Sequence, residues 1–139
     1  MKRCDHWRAR FDAAIDEMRL RPFDWESQHD CALGLACKVV QAVTNVDFGA
    51  AYRGRYTSKS GAYRVMRKEG FNDLGDLVAS KLPEIHPSRC RVGDLALYRT
   101  DSVFGYAIGI VNGERVFVLR EEGIGTMDLL RADRAFKVG

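Results

Sequence analysis

The chain has 139 residues, 46% of them hydrophobic and 29% charged, with 3 Pro against 13 Gly. This composition excludes a disordered or fibrous chain and suits one globular domain over residues 1–139. The 22 basic and 19 acidic residues leave a net charge of +3, too near balance for nucleic acid to be the expected main partner.

The first segment, Met1-Lys2-Arg3-Cys4-Asp5-His6-Trp7-Arg8, does not lead into an apolar stretch, because charges recur up to Arg21. No secretory signal is expected, so the chain should be made in a reducing cytoplasm with Cys4, Cys31, Cys37 and Cys90 as free thiols. Trp7, Phe11, Ala14, Ile15 and Met18 recur three or four apart, which predicts an amphipathic helix from about Asp5 to Leu20, stopped by Pro22. A second helix is predicted from about Asp30 to Val43. Its stripe of Leu33, Ala36, Val40 and Val43 is widened by Leu35 and Val39, as expected of a central, mostly buried helix.

Two shorter helices are predicted from about Ser58 to Lys68 and from about Asn72 to Leu82, with Gly70 as a C-cap between them. The character changes at Pro83 to Pro87. Strand patterns then follow at Asp94 to Arg99, Val103 to Val111 and Glu114 to Arg120. Asn112-Gly113 predicts a type I′ hairpin and an antiparallel pairing of the last two strands. Gly123 to Leu130 reads as a further short strand and Arg131 to Ala135 as a helical turn. The expectation is an α+β domain with a helical part at about 5–82 packed on one side of a small antiparallel sheet at about 92–130. The longest run free of charged or strongly polar side chains, Val103 to Val111, is about half of what a membrane crossing requires, so no span is expected.

Chemistry concentrates at Trp25-Glu26-Ser27-Gln28-His29-Asp30-Cys31-Ala32-Leu33. Either Asp30 is the N-cap, or Ser27 caps with Asp30 reaching back as in a capping box. In both readings Cys31 sits in the first helical turn, where the positive helix end would lower its pKa and make it a better nucleophile. The alternative from spacing alone is a small buried hydrophobe, the commoner fate of a free cysteine. Cys31 and Cys37, six apart, fall about 240° around a helix of 3.6 residues per turn, and no C-x-x-C or H-x-x-x-H spacing occurs; no metal or other cofactor is expected.

Asp30-Cys31-Ala32-Leu33 at a helix start, Arg91-Val92-Gly93-Asp94-Leu95-Ala96-Leu97-Tyr98 opening a strand, and Ala107-Ile108-Gly109-Ile110-Val111-Asn112-Gly113 in a hairpin resemble the NlpC-type cysteine endopeptidases. More closely, the chain resembles a small family of phage proteins from tail gene clusters. That likeness rests on Arg21-Pro22-Phe23-Asp24-Trp25, His29-Asp30-Cys31-Ala32, and Phe48 to Tyr56 with its Arg53-Gly54-Arg55-Tyr56. The resemblance spans roughly Arg21 to Gly113. It implies a papain-like fold, a place in the virion tail near the hub or tip, other tail proteins as partners, and Cys31 as attacking thiol on a peptidoglycan stem peptide.

The same resemblance puts Ala107 where the family's histidine base belongs, with Tyr106 beside it. Alanine has no titrating group and tyrosine titrates near pH 10, so neither replaces an imidazole. His29, two residues before Cys31, and His86, between two prolines, are the candidate substitutes if the chain is an active endopeptidase that opens the wall as the genome enters the cell. His6 should face solvent. Without a base, binding is the remaining role.

Tyr52 to Lys68 holds Arg53, Arg55, Lys59, Arg64, Arg67 and Lys68 with no acid, interleaved with Tyr52, Tyr56 and Tyr63. Phosphate contact with base stacking is one use of such a segment, and a solvated face whose tyrosines pack on the core is the commoner one. Arg53, Arg55 and Tyr56 are the residues expected in a protein interface, where Arg and Tyr are enriched.

Overall fold

The computed structural model describes residues 1–139 as four helices and a six-stranded antiparallel sheet. The first helix, α1 (Trp7–Met18), buries Phe11, Ile15 and Met18, the i, i+4, i+7 stripe read from sequence. The second begins as a π-helical turn, Cys31–Ala36, and continues as α2 (Cys37–Thr44). In the π turn the Leu35 amide reaches back to the Asp30 carbonyl and the Cys37 amide to that of Ala32, each five residues away. The last two helices are α3 (Lys59–Lys68) and α4 (Leu74–Ala79), capped by the side chains of Ser58 and Asp73. Gly70, between them, has φ 92°, as a left-handed helix end requires.

The strands are β1 (Glu84–Ile85), β2 (Leu95–Arg99), β3 (Tyr106–Asn112), β4 (Arg115–Arg120), β5 (Gly123–Asp128) and β6 (Arg134–Phe136), in the order β1-β6-β2-β3-β4-β5. Alternation sends Leu95, Leu97, Ile108, Ile110 and Phe136 toward the helices, into one core with Phe11, Leu35, Val39, Met66 and Val78. The opposite face carries Ala96, Tyr98, Val111, Val116 and Val118 with Met127 and Leu129 against them. At Gly109 a β-carbon would meet Val116 Cγ1 at 2.6 Å and the Phe117 carbonyl at 2.8 Å, so only glycine lets β4 close this tightly on β3.

Three expectations need correction. The sheet is larger than 92–130 because β1 and β6 join its edge; Arg131 to Ala135 is no helical turn, since β6 inserts between β1 and β2 through backbone pairing. A three-residue strand is too short to show a period, which is why the pattern missed it. The β3–β4 hairpin has Asn112 opposite Arg115, so its central residues are Gly113 and Glu114, not Asn112 and Gly113. Only Gly113 has positive φ, 80°, as in a type II′ turn. The antiparallel pairing itself is as expected.

Arg3 and Asp94 tie the chain ends to the sheet. Their side chains, 7% and 1% exposed, pair at 3.0 Å. Asp94 also accepts from the Val138 amide at 2.9 Å and the Arg91 amide at 2.8 Å, while Arg3 donates to the carbonyls of Val138 and Val92. The Arg91-Val92-Gly93-Asp94 turn is therefore a clamp for both termini. No helix is long and apolar enough to cross a membrane.

Candidate functional site: the cavity at Cys31

Asp30, not Ser27, caps the second helix: Oδ1 accepts from the amides of Ala32 at 2.9 Å and Leu33 at 2.8 Å. The helix start is set by the short loop before it, where Asp24 and His29 exchange both backbone hydrogen bonds at 3.0 and 2.9 Å. Gly34 rests directly on this loop. A β-carbon there would lie 2.6 Å from His29 Cα and 2.7 Å from its carbonyl carbon, so a side chain would push the helix off its seat.

A second loop docks over the same helix end. Gln28, at φ 60°, donates from Nε2 to the Tyr56 carbonyl at 2.7 Å and accepts at Oε1 from the Gly54 amide at 2.9 Å. The Tyr56 hydroxyl donates to Asp30 Oδ2 at 2.5 Å. Burial pushes the Asp30 carboxyl above its usual range, and the hydrogen bonds from Tyr56, Leu33 and Ala32 offset part of that rise. Aromatic rings gather beside this contact: Trp25 stacks on Phe104 with centroids 5.4 Å apart and meets Phe23 and Tyr56 edge-on.

Beneath these loops lies a cavity of about 400 Å³ between the second helix, α3, α4 and the β2–β3 part of the sheet. Of its 28 lining residues, 23 are hydrophobic, so it is an apolar chamber with few polar groups. Cys31, Cys37 and Ala107 all reach its wall. Cys31 is half-buried and lines this chamber. Burial, with the Asp30 carboxylate beside it, pushes its pKa up to about 12; the Ile108 amide acts in the other direction without reversing the shift. The helix end favours a thiolate at Cys31, and desolvation with a neighbouring anion opposes it more strongly.

Neither candidate base meets the thiol. The His29 imidazole is 1% exposed, and both its ring nitrogens are buried without a hydrogen-bond partner. Its burial lowers the pKa to about 4. His86 caps the Pro87–Arg89 turn, its Nδ1 2.7 Å from Ser88 Oγ, and is exposed outside the cavity. Tyr106, next to Ala107, has its hydroxyl engaged by Arg99 Nη2 at 2.9 Å. Cys31 and Cys37 share the chamber, but no group of three His, Cys, Asp or Glu side chains is placed to hold a metal ion.

The expected interface residues are differently placed. Arg53 makes two hydrogen bonds to the Asp47 carboxylate at 2.9 and 3.1 Å, and Arg55 pairs with Glu69 at 2.8 Å. The acids missing from the local sequence come from outside the segment. Both arginines stay exposed, whereas Tyr56 is half-buried with its hydroxyl on Asp30, so it holds the site together and is no free interface side chain. Sequence reasoning missed Gln28 and Gly34. The left-handed φ of Gln28 and the contact at Gly34 leave no mark in the apolar period.

None of the curated proteins matches the chain. Residues 2–138, nearly the whole sequence, match the family described as Domain of unknown function (DUF6950), and the chain belongs to that family.

Proposed function

We propose that the protein is an NlpC-like domain, papain-type in fold, that has given up peptidase chemistry and acts as a binding component of a phage tail at or near the tip. The observation that carries the loss of chemistry is the Cys31 thiol: it lies at the Ile108 amide in the wall of an apolar chamber that Ala107 also lines, with its pKa pushed up to about 12 and no imidazole bonded to it. A cysteine nucleophile needs a lowered pKa or an adjacent base, and neither is supplied here. The setting in a tail rests on the ordered motifs from Arg21 to Gly113, and the binding role on the exposed Arg53 and Arg55 side chains on the loop above the chamber.

The test is genetic. A phage lacking this gene is complemented with the wild-type chain, with Cys31→Ala, or with Arg53→Glu/Arg55→Glu. The expected result is full titre with Cys31→Ala and reduced incorporation into tails with the double charge reversal. Rescue by wild type but not by a folded Cys31→Ala chain would restore the endopeptidase reading, and unchanged titre on deletion would remove the essential tail role.

A further inference from the structure

We propose that the chamber at Cys31 is a binding site for a long-chain carboxylate: the alkyl chain lies between the second helix, α3 and α4, and the anionic head meets Lys81. This goes beyond the tail role proposed above and does not depend on it. Protein interiors are close-packed, and a closed apolar void of this size would cost on the order of a domain's whole stability. At about 400 Å³ the chamber instead falls in the range of small-molecule sites, mostly apolar with a few placed polar groups. Its walls include Leu33 and Val40 of the second helix, Met66 of α3, Val78 of α4, and Leu82. These side chains suit an alkyl chain.

Charge decides the head group. Two lysines, Lys59 and Lys81, line the chamber, and neither takes part in any of the ion pairs of the protein. The Lys81 ammonium is held over the rings of Tyr52 and Phe48, 5.6 and 5.8 Å from their centroids, which leaves its charge unmatched by any acid. The one carboxylate in the lining, Asp30, is already committed to Tyr56 and two helix amides. The arginines on the overlying loop are neutralised by Asp47 and Glu69. An apolar chamber whose uncompensated charges are both positive selects an anionic amphiphile over a neutral or cationic one of equal length.

The test is titration calorimetry of the full chain with monomeric laurate, dodecanol and dodecyltrimethylammonium, each below its micelle threshold. The expected result is one laurate per chain, bound at least about tenfold more tightly than dodecanol, with the cation weakest. Affinity should rise about two- to fourfold per methylene from octanoate to laurate. Lys81→Glu, at a half-buried position with no hydrogen-bond partner to lose, should weaken laurate at least about tenfold and leave dodecanol within about twofold. Val78→Trp should block both; if it unfolds, the Lys81→Glu comparison decides alone. No saturable binding, equal affinity for laurate and the cation, or indifference to Lys81→Glu would overturn the proposal. So would binding to anionic phospholipid vesicles without binding of monomeric laurate, which would mark a membrane-facing surface instead.

Discussion

Replacing Tyr56 with Phe removes one oxygen and tests how its loop is held on the helix end. In the folded protein the Tyr56 hydroxyl is the partner of Asp30 Oδ2, while Oδ1 is shared by two helix amides. Asp30 is 2% exposed, so water does not replace the lost donor without opening the loop. Deleting a hydrogen bond to a charged group costs about 1.5–3 kcal/mol. For a domain of this size that lowers the urea midpoint by about 1 M with an unchanged slope. The pH dependence carries the sharper sign. The Asp30 carboxyl already titrates above its usual range in the fold, so its ionisation opposes stability above the folded pKa and that opposition fades as pH falls through it. Losing the hydroxyl, which favours the charged form, raises the folded pKa further. The penalty should therefore be largest near pH 7.5 and shrink to about 1 kcal/mol or less in acid, where a neutral carboxyl is left behind. Urea unfolding of both chains at pH 7.5 and pH 4.5, followed by tryptophan fluorescence, measures it. A penalty under about 0.5 kcal/mol at pH 7.5, or one that grows in acid, would refute the reasoning.

The same physics gives three further expectations. His29, with a folded pKa of about 4 against an ordinary 6.5, binds its proton more readily in the unfolded chain, so stability present above pH 6.5 is lost as pH falls toward 4. Besides burial, part of the shift comes from the solvent-facing cations Arg21 and Lys38, which water screens, so the loss is about 2 kcal/mol rather than the ~3 of the full shift, and His29→Leu should flatten the stability profile over that window. Asp94→Ala leaves the buried Arg3 charge with only the Val138 and Val92 carbonyls and no counter-charge, and should cost about 3–5 kcal/mol, a fall of roughly 10 °C in Tm by calorimetry, part of which returns on adding Arg3→Met. Cys31 should react with iodoacetamide at pH 8 at least about a hundredfold more slowly in the folded chain than in urea, read by peptide mass mapping; rapid selective labelling would show a thiolate that the fold does not provide for.

Much of the fold was legible because it is written in apolar periods. Phe11, Ile15 and Met18, the broad stripe of the second helix, and the alternation through β2, β3 and β4 each state which face is buried. Asp30 as N-cap was legible too, since a carboxylate before an apolar run satisfies the first helix amides. The π turn was not. It depends on Gly34 seating against His29, a contact between backbones that no side-chain pattern encodes. The burial of the thiol was not legible, because the helix end is local in sequence whereas β3, whose Ile108 amide lies at the thiol, is distant and meets Cys31 only in the fold. The pairing of Arg53 and Arg55 was hidden for a related reason: Asp47 and Glu69 flank the segment in the chain and meet these two arginines only in the fold.

The most direct measurement of whether this chain has given up peptidase chemistry is mass spectrometry of peptidoglycan stem peptides incubated with the folded protein at neutral pH. The expected result is intact peptide at every time point, with the Cys31→Ala chain indistinguishable from wild type. Appearance of cleaved stem peptide with the wild-type chain, and its loss in Cys31→Ala, would contradict it.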